Sequence, residues 1–359
     1  MTLADELLRR GAKRQGPVRI GVVGLGYWGP NLVRNLHELD DAQVVCVCDL
    51  RPQAVEKITR RYPAIDGRTS VEDVLGDETI EAVAIATPVG THHALASAAL
   101  SLGKHVFVEK PLAQSVQEAA ELVELARQRE LVIMTGHTFL YSPAVNVVRD
   151  LIASGELGET YFISMSRVNL GIHQRDVSVV WDLAPHDFSI LRYWLDEPPV
   201  AVSATSRGCV FSDKPDVAFI NLEFPSGTIA HVELAWLAPS KLRRTTVVGS
   251  RKMIVYDDTS HEPIRIFDSG VLLPDPTSFG EYQLSYRTGD IVSPRIDVVE
   301  PILAEMQDFC SAVRGRSAAR SSPQLGLEVV EMIEAVDRSL AGGGKRVRVR
   351  RADDLLTAH

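Results

Sequence analysis

Short apolar runs alternate with segments of helical periodicity through the first third of the chain. The runs Ile20–Val23, Val44–Cys48 and Ala82–Thr87 predict buried strands, and the segments between them carry apolar residues at helical spacing. Ser70 and Ser115 each stand three positions before an acidic residue, which is the pattern of a capping box at a helix start. This alternation predicts a parallel sheet that helices cover on both faces.

A different pattern begins after about Gly136. One helix is predicted from Ser142 to Ala153, two more over 300–313 and 324–341, and a short final strand follows them. The segment between the first and second of these helices consists mostly of strand-like runs, at 160–168, 200–206, 218–224, 228–236, 245–248 and 253–256. These runs predict a largely antiparallel sheet. Residues 259–294 show no clear period.

The length of 359 residues exceeds what one typical hydrophobic core accommodates, so two domains are expected. The change of pattern places their boundary near residue 136. The prediction is an N-terminal arm over 1–17, a first domain over 18–136, and a second domain over 137–359 for substrate binding and oligomerisation.

Composition and charge exclude several classes of protein. A net charge of −9 argues against a nucleic-acid partner or binding to an anionic membrane. No apolar run is long enough to span a bilayer, and the first residues lack the apolar stretch of a signal peptide, so a cytoplasmic protein is expected. Cys46, Cys48, Cys209 and Cys310 have no metal-binding spacing and are expected to be buried free thiols, so no metal site is predicted.

A glycine motif follows the first predicted strand. Gly24, Gly26 and Gly29 form G-x-G-x-x-G, and Pro30 suits the first turn of a helix. The first glycine allows a tight turn, the second leaves room for a pyrophosphate, and the third lets the helix pack close to the strand. The helix N-terminus then faces the phosphates. This order of strand, turn and helix predicts a dinucleotide site.

A lone glycine motif also fits a turn without a ligand, so its context matters. The second strand ends in Asp49, twenty positions after Gly29, where an acidic residue can accept a hydrogen bond from a ribose 2′-hydroxyl. Asp49 favours NAD over NADP, because a carboxylate repels a 2′-phosphate. Arg51 leaves NADP open, since a guanidinium could hold that phosphate. The first domain is therefore predicted to be an NAD-binding Rossmann domain.

Glu109, Lys110 and Pro111 follow directly after another predicted strand. This places Lys110 at the carboxyl edge of the parallel sheet, on the side where a cofactor binds. A lysine there can hold a substrate hydroxyl and stabilise a developing alkoxide. The alternative interpretation is a surface lysine paired with Glu109.

Asp182 and His186 are four positions apart, which places both side chains on one face of a helix. An imidazole suits the removal and return of a hydroxyl proton, because its unperturbed pKa lies near neutrality. Asp182 could orient that imidazole or bind a neighbouring hydroxyl. The alternative interpretation is a helix N-cap at Asp182 and a core histidine at His186.

Together these motifs resemble the glucose–fructose oxidoreductase, inositol dehydrogenase and rhizopine catabolism family, Gfo/Idh/MocA. The resemblance rests on the segments 24–29, 86–88 with His92, 109–111, and 182–186, and it extends from Val18 to about Val349. It implies an α/β protein with an N-terminal Rossmann domain and a C-terminal α/β domain built on an open, mostly antiparallel sheet. It further implies hydride transfer between a nicotinamide cofactor and a sugar, cyclitol or related substrate.

The resemblance also implies roles for individual residues. Lys110 and His186 are expected to be the catalytic pair, assisted by Asp182, and the Lys110–Pro111 bond is commonly cis in relatives. The residues expected to bind the cofactor are Gly24, Gly26, Tyr27, Trp28, Gly29, Asp49, Arg51, Thr87, Pro88, His92, Glu109 and Lys110.

Within the family, residues 167–171 and 180–187 look most like the branch of UDP-N-acetylglucosamine 3-dehydrogenases and UDP-N-acetylglucosaminuronate 3-dehydrogenases. Those enzymes oxidise the sugar C3 hydroxyl to a ketone. The residues that this likeness places near a substrate are Tyr141, Arg167, Asn169, Arg175, Asp182 and His186. Arginines pair well with a phosphate or carboxylate, although both arginines also fit solvated loop charges.

The expected function is NAD-dependent oxidation of a sugar secondary hydroxyl, at C3 of a UDP-sugar. Alternatives are a free cyclitol or monosaccharide dehydrogenase of the inositol dehydrogenase type, and a sugar ketoreductase of deoxysugar or aminoglycoside biosynthesis. A non-catalytic dinucleotide sensor is a further alternative, but it has no need of Lys110, Asp182 and His186 together. An open sheet exposes an apolar face, so a homodimer or homotetramer is expected.

Overall fold

The computed structural model describes residues 16–171, 173, 177–272 and 285–352. Within these residues the chain folds into two units. The first runs to Tyr141 and also includes Val299–Glu331 and the described residues after Arg350, while the second consists of Ser142–Val298 and Met332–Arg350. The predicted single boundary near residue 136 misses the return of 299–331 to the first unit.

A parallel sheet forms the centre of the first unit. Its strands are β1 (Val18–Val23), β2 (Ala42–Cys48), β3 (Asp66–Arg68), β4 (Ala82–Ile85), β5 (His105–Glu109) and β6 (Ile133–Gly136). The intervening helices are α1 (Gly29–His37), α2 (Pro52–Arg61), α3 (Val71–Leu75), α4 (His92–Ser101) and α5 (Val116–Arg129). The strand order β3-β2-β1-β4-β5-β6 is that of a Rossmann fold, which confirms the prediction.

Burial explains why these segments form the sheet and its cover. All residues of β4 are buried, as expected for a central strand with helices on both faces, and α1 buries Leu32, Val33 and Leu36. The Ser70 and Ser115 side chains accept hydrogen bonds from the backbone N–H groups three residues later, at 3.4 and 3.2 Å. Both predicted caps are confirmed. The strand order reverses between β1 and β4, which opens a crevice at their carboxyl ends.

Helix α8 (Pro301–Val313) belongs to the first unit although it lies late in the chain. It buries Met306 and Phe309, and the Phe309 ring lies 5.8 Å from the ring of Phe107 on β5. At its N-terminus, Glu300 accepts a hydrogen bond of 2.9 Å from Nη1 of Arg34 on α1. The long helix α9 (Pro323–Ala341) begins in the first unit and ends in the second.

A mixed sheet forms the centre of the second unit. Its strands are β7 (Thr160–Val168), β8 (Ala201–Arg207), β9 (Val217–Glu223), β10 (Ile229–Ala235), β11 (Leu242–Gly249), β12 (Met253–Asp257), β13 (Ile264–Leu272), β14 (Ser285–Val292) and β15 (Val347–Arg348). Their order is β14-β13-β12-β11-β7-β10-β9-β8-β15. Within the described residues every neighbouring pair is antiparallel except β7 and β10, so the prediction of a mostly antiparallel sheet is confirmed.

The second unit contains elements that the sequence pattern did not predict. Strands β13 and β14 pair within the segment that showed no clear period. On β14, Tyr286 and Ile291 are 76% and 62% exposed, so this edge strand has no buried face to impose an alternating pattern. Helix α6 (Pro143–Ala153) agrees with the predicted helix, whereas α7 (Val179–Leu195) continues through Pro185 well beyond the predicted Asp182–His186 turn.

Candidate active site

The three glycines of the turn after β1 differ in what a side chain at each position would meet. Gly24 has a φ of +93°, and a Cβ there would lie 2.5 Å from the carbonyl oxygen of Ala86. A Cβ on Gly29 would collide with the carbonyl oxygen of Gly24. A Cβ on Gly26 would meet no described atom within 4 Å. Gly26 is therefore not required by the fold, whereas a dinucleotide pyrophosphate approaching the backbone explains it.

The loop between the glycines presents Tyr27 and Trp28 at the start of α1. Tyr27 is 78% exposed, Trp28 is 37% exposed, and their rings meet edge to face at 5.1 Å. Trp28 occupies the N-cap position of α1 and its side chain makes no capping hydrogen bond. The N–H groups of the first turn are thus suited to a phosphate, as predicted for this helix.

Asp49 lies at the end of β2 and is fixed by several donors. Its Oδ2 accepts a hydrogen bond of 2.8 Å from the Leu25 backbone, and its Oδ1 accepts bonds of 2.9 Å from both the backbone N–H and Nε of Arg51. The Arg51 side chain, followed by these backbone donors, lowers the pKa of Asp49 to about 2. An ionised carboxylate is therefore fixed beside the glycine turn, and Arg51 is engaged with it.

His92 connects two loops at the carboxyl edge of the sheet. It is 1% exposed, and its ring nitrogens lie 2.9 Å from the Pro111 carbonyl oxygen and 2.8 Å from the Thr87 carbonyl oxygen. Burial lowers its pKa. Both ring nitrogens face backbone carbonyl oxygens, so His92 holds these two loops, and its contact with the cofactor stays a prediction. Thr87 and exposed Pro88 remain at the edge itself.

Glu109 and Lys110 end β5 at the same edge. The Lys110–Pro111 peptide bond is cis, as the family resemblance implied. Glu109 is buried, and this burial raises its pKa to about 7. Lys110 is half-buried. The sheet therefore carries a lysine at the edge where the glycine turn and Asp49 also lie.

Two further ionisable groups are buried in the first unit, and the sequence pattern did not indicate them as site residues. His137 is 1% exposed, and neither ring nitrogen has a hydrogen-bond partner among the described residues. Burial, together with the Lys110 charge, lowers the pKa of His137 to about 3. Glu305 is fully buried, accepts a hydrogen bond of 2.7 Å from the Thr138 hydroxyl, and has a raised pKa because of burial and the Glu109 charge. A histidine directly after β6 was the signal that could have indicated this cluster.

Tyr141 is a buried residue of the first unit. It is 4% exposed, its hydroxyl donates a hydrogen bond of 2.7 Å to Asp308, and Arg320 lies over its ring at 5.1 Å. Burial raises the pKa of Tyr141. Within the first unit Tyr141 packs against the segment that contains Asp308 and Arg320, and its role in lining a sugar pocket stays a prediction.

Helix α7 positions the predicted acid–base pair of the second unit. Ser178 is its N-cap, since the Ser178 side chain accepts from the Trp181 backbone at 3.5 Å, so the alternative of Asp182 as N-cap is wrong. Asp182 stands in the first turn and His186 one turn later, and both are half-buried. Their spacing of one helical turn agrees with the predicted shared face, and their role at a substrate stays a prediction.

Trp236 is a residue of this site that the sequence did not indicate. It follows β10, is 3% exposed, and its indole Nε1 donates a hydrogen bond of 3.3 Å to Oδ2 of Asp182. Half-buried Asn169 follows the neighbouring strand β7, and its backbone N–H donates to Ala235 at 3.1 Å. No single motif linked residues 169, 182 and 236. The parallel pairing of β7 with β10 brings 169 near 236, and the indole hydrogen bond connects 236 to 182 on α7.

His173 and Asp216 lie beside Trp236 and were also missed. The His173 ring is 5.5 Å from the Trp236 ring, and its Nε2 lies 3.7 Å from Oδ2 of Asp216. Asp216 is buried and accepts backbone hydrogen bonds from Cys209 and Val210. This side of the site is therefore aromatic, with a buried carboxylate behind it.

Arg167 fits neither of its two predicted interpretations. It is 7% exposed on β7, and its Nε and Nη2 atoms each donate a hydrogen bond of 2.8 Å to the Asp187 carboxylate. It is therefore not a solvated loop charge, because its guanidinium is engaged by a buried partner, and its contact with a substrate stays a prediction. Arg175 lies outside the described residues.

The described residues form neither a metal-binding cluster nor a membrane-spanning helix. There, no group of three or more His, Cys, Asp or Glu side chains is arranged to hold a metal ion. None of the described helices combines the length and apolar character needed to cross a membrane. Cys46, Cys48 and Cys310 are buried free thiols as predicted, but Cys209 is exposed because it lies in the loop after β8.

Two segments of the chain match known family models. Residues 18–137 match the profile described as "Oxidoreductase family, NAD-binding Rossmann fold", and residues 145–255 match the "GFO/IDH/MocA C-terminal domain". The first match contains the glycine turn, Asp49 and Lys110, and the second contains Asp182, His186 and Trp236.

Individual proteins show more distant similarity. The 2,7-anhydro-N-acetylneuraminate hydratase of Escherichia coli (strain K12) is 28% identical over 232 residues, which are 60% of this chain and 61% of that protein. The UDP-N-acetylglucosamine 3-dehydrogenase of Acidithiobacillus ferrooxidans is 24% identical over 324 residues, 88% of this chain and 99% of that protein. The chain thus matches about three fifths of the first protein and nearly all of the second.

A solved structure supports the fold. GenD2 from gentamicin A biosynthesis, crystallised in complex with NAD, superposes with a TM-score of 0.80. The superposition covers 94% of this chain and 97% of GenD2 at 22% sequence identity. At this identity the similarity establishes the architecture of the chain.

Proposed function

The chain belongs to the Gfo/Idh/MocA oxidoreductase family, and on that premise we propose that it oxidises a secondary hydroxyl of a sugar with NAD as cofactor. The observation that carries the proposal is the placement of Lys110 at the sheet edge that also presents Gly26 and Asp49. A lysine at that edge is suited to the reacting oxygen, and a dinucleotide sensor does not need it.

The residues of the first unit fit a bound dinucleotide. The open space at Gly26 admits the pyrophosphate, and the first turn of α1 offers N–H donors to it. The ionised Asp49 accepts a hydrogen bond from the ribose 2′-hydroxyl, which favours NAD. When bound, NAD supplies the nicotinamide ring that accepts a hydride.

Proton handling falls to the chain's own side chains. His186 takes the hydroxyl proton as a general base, and Asp182 binds a neighbouring hydroxyl or orients the imidazole. The ammonium group of Lys110 stabilises the negative charge that develops on the substrate oxygen. Substrate reduction uses the same groups in the opposite direction, so a ketoreductase would have the same site.

We propose a UDP-sugar, oxidised at C3, as the first candidate substrate. Support comes from the UDP-N-acetylglucosamine 3-dehydrogenase, which aligns over nearly the full length of both chains, whereas the neuraminate hydratase aligns over part of its length. A free cyclitol or monosaccharide is the second candidate. The pairing of Arg167 with Asp187 favours it, because this arginine is not presented to a phosphate.

Absorbance of reduced nicotinamide tests the proposal. The purified protein is mixed with NAD⁺ or NADP⁺ and, in turn, with UDP-N-acetylglucosamine, its uronate, myo-inositol and glucose. Turnover with NAD⁺ and a UDP-sugar alone supports the first candidate, and turnover with inositol or glucose supports the second. Absence of turnover with all of them contradicts the proposed reaction for these substrates.

The Lys110→Met variant tests the assignment of the lysine. We expect turnover to fall about 10²–10⁴-fold, because stabilisation of the reacting oxygen is lost, while NAD binding measured by fluorescence stays within about twofold. Lys57→Met on α2 is the matched control, since Lys57 is an exposed lysine of the same unit. Normal turnover of Lys110→Met would rule out this role.

A further inference from the structure

Trp236 is fixed on three sides within the second unit. Its backbone N–H donates to the Asp216 carbonyl oxygen at 2.9 Å, and its own carbonyl oxygen accepts from the Gly171 N–H at 2.9 Å. Its indole Nε1 donates to Asp182 at 3.3 Å. A side chain that is 3% exposed and held in this way has little freedom to change rotamer.

The ring of Trp236 also determines the course of the chain after β7. A Cβ on Gly171 would lie 2.8 Å from Cδ1 of Trp236, so the backbone passes across the ring at a distance that only glycine permits. The Asn169 N–H donates to Ala235 one residue before the tryptophan. Trp236 therefore orders the segment 169–171, in which Asn169 is a proposed substrate residue.

The hydrogen bond to Asp182 has a chemical consequence. An indole N–H is a donor only, so this bond takes one of the roughly four acceptor positions of the Asp182 carboxylate. A bond from a rigid, buried donor also restricts the Asp182 rotamer in the first turn of α7. The direction of the remaining lone pairs is thereby set from outside the helix.

We propose that Trp236 is a positioning residue of the substrate site: its indole N–H orients the Asp182 carboxylate, and its ring and backbone order the Asn169–Gly171 segment against which a polyhydroxylated ring binds. The inference rests on the proposed function for the role of Asp182. It adds a residue that contacts neither cofactor nor reacting atoms and acts through two groups that bind the substrate.

The Trp236→Phe variant removes the N–H donor and keeps an aromatic ring. We expect kcat/KM for the sugar substrate to fall about 10–100-fold, as for other residues that orient a functional group, while KM for NAD⁺ stays within about twofold. Trp194→Phe is the matched control. Trp194 lies on α7, at the end of the helix opposite to Asp182. It is also buried, and its indole N–H donates to the Val145 carbonyl oxygen at 2.9 Å.

Comparison of the two variants separates positioning from packing. Each variant loses part of a buried indole and one hydrogen bond, so their melting temperatures are expected to fall by similar amounts. Only Trp236→Phe is expected to lower kcat/KM for the sugar. Equal kinetic losses in both variants, or no kinetic loss in Trp236→Phe, would overturn the proposal.

A double-variant cycle with Asp182→Ala tests whether Trp236 acts through the carboxylate. In the Asp182→Ala background, the further replacement of Trp236 by Phe is expected to change kcat/KM by less than about threefold. An undiminished loss in that background would contradict action through Asp182. The cycle needs measurable turnover in the single variants, which a high enzyme concentration provides.

A structural measurement keeps the inference separate from the proposed function. If the wild type oxidises none of the sugars tested, the proposed function fails, and the crystal structure of Trp236→Phe still decides the positioning role. Asp182 in a new rotamer, or in two conformers, supports the inference. Asp182 and the 169–171 backbone unchanged from the wild-type crystal structure would overturn it.

Discussion

Glu109 and His137 lie at the ends of neighbouring strands, and burial shifts their pKa values in opposite directions. The pKa of Glu109 rises to about 7, and that of His137 falls to about 3. In both cases burial favours the neutral form, which is protonated for a carboxyl and deprotonated for an imidazole. The two residues therefore oppose each other in how stability depends on pH.

The signs follow from proton binding in the two states. Between pH of about 4.5 and 7 the folded protein holds the Glu109 proton more tightly than the unfolded chain, so this group lowers stability as pH rises. Between pH of about 3 and 6.5 the unfolded chain binds the His137 proton more tightly, so this group lowers stability as pH falls. Between pH of about 4.5 and 6.5, where both groups act, their opposite effects on the free energy of unfolding partly cancel.

Glu109→Gln is expected to remove the loss of stability that Glu109 causes as pH rises. Relative to wild type, its free energy of unfolding should rise between pH of about 4.5 and 7, by up to about 3 kcal/mol, because an amide does not ionise. Urea unfolding at a series of pH values measures this difference. Glu56→Gln, at an exposed glutamate on α2, is the control and should show no such trend; a difference independent of pH in Glu109→Gln would contradict the prediction.

Single residues were predictable where the chemistry is local in sequence. The glycines and Asp49 could be predicted because a dinucleotide requires them at fixed spacing from one strand. Trp236 could not, because its partner Asp182 is 54 positions away and only the fold brings the two together. The same holds for Arg167 with Asp187, whose pairing no local pattern indicates.

At the scale of elements, strand β7 and helix α7 are joined by the pair Arg167–Asp187. Both side chains are nearly inaccessible, at 8% and 3% exposure, and two parallel hydrogen bonds of 2.8 Å connect them. Such a pair is costly to break from one side, since the remaining charge stays buried without its partner.

Arg167→Met is therefore expected to destabilise the protein by about 3–5 kcal/mol, and the double variant Arg167→Met/Asp187→Leu should recover most of that loss. Guanidinium chloride unfolding measures both. The half-exposed pair Arg243–Asp258 provides the control, where Arg243→Met should cost about 1 kcal/mol or less. Full stability of Arg167→Met with weaker sugar binding would instead favour direct contact with substrate.

Elements were predictable where burial imposes a period. The strands around β7 to β12 alternate buried and more exposed positions, so their existence could be predicted to within a few residues. Strand β14 could not be predicted, because both of its faces are largely exposed. Helix α7 was recognised only at its first turns, since Pro185 normally indicates a helix end.

At the scale of the whole molecule, one face of the nine-stranded sheet carries neighbouring apolar side chains that are exposed within the described chain. Phe162, Ile229 and Phe219 lie on the neighbouring strands β7, β10 and β9, share this face by register, and are 41%, 56% and 42% exposed. Ile163 and Ile220, on the opposite face, are fully buried. Exposed apolar side chains that neighbour one another are typical of an interface, and we expect a second copy of the chain to cover them.

Two neighbouring positions on β7 test this expectation. Phe162→Glu places a charge on the open face and is expected to shift the protein from dimer or tetramer to monomer in light scattering. Tyr161→Glu is the control, because adjacent residues of a strand point to opposite faces and Tyr161 is already 50% exposed. A wild type that is monomeric at micromolar concentration, or an assembly that Phe162→Glu leaves intact, would contradict the prediction.

The return of helix α8 to the first unit has a consequence for synthesis on the ribosome. Phe107 packs against Phe309, so its partner emerges only after the whole of residues 142–298 has been translated. At typical elongation rates this interval lasts roughly 10–30 s. During that time the apolar surface around Phe107 stays exposed on the nascent Rossmann sheet. We therefore expect chaperones that bind nascent chains to bind this part of the protein.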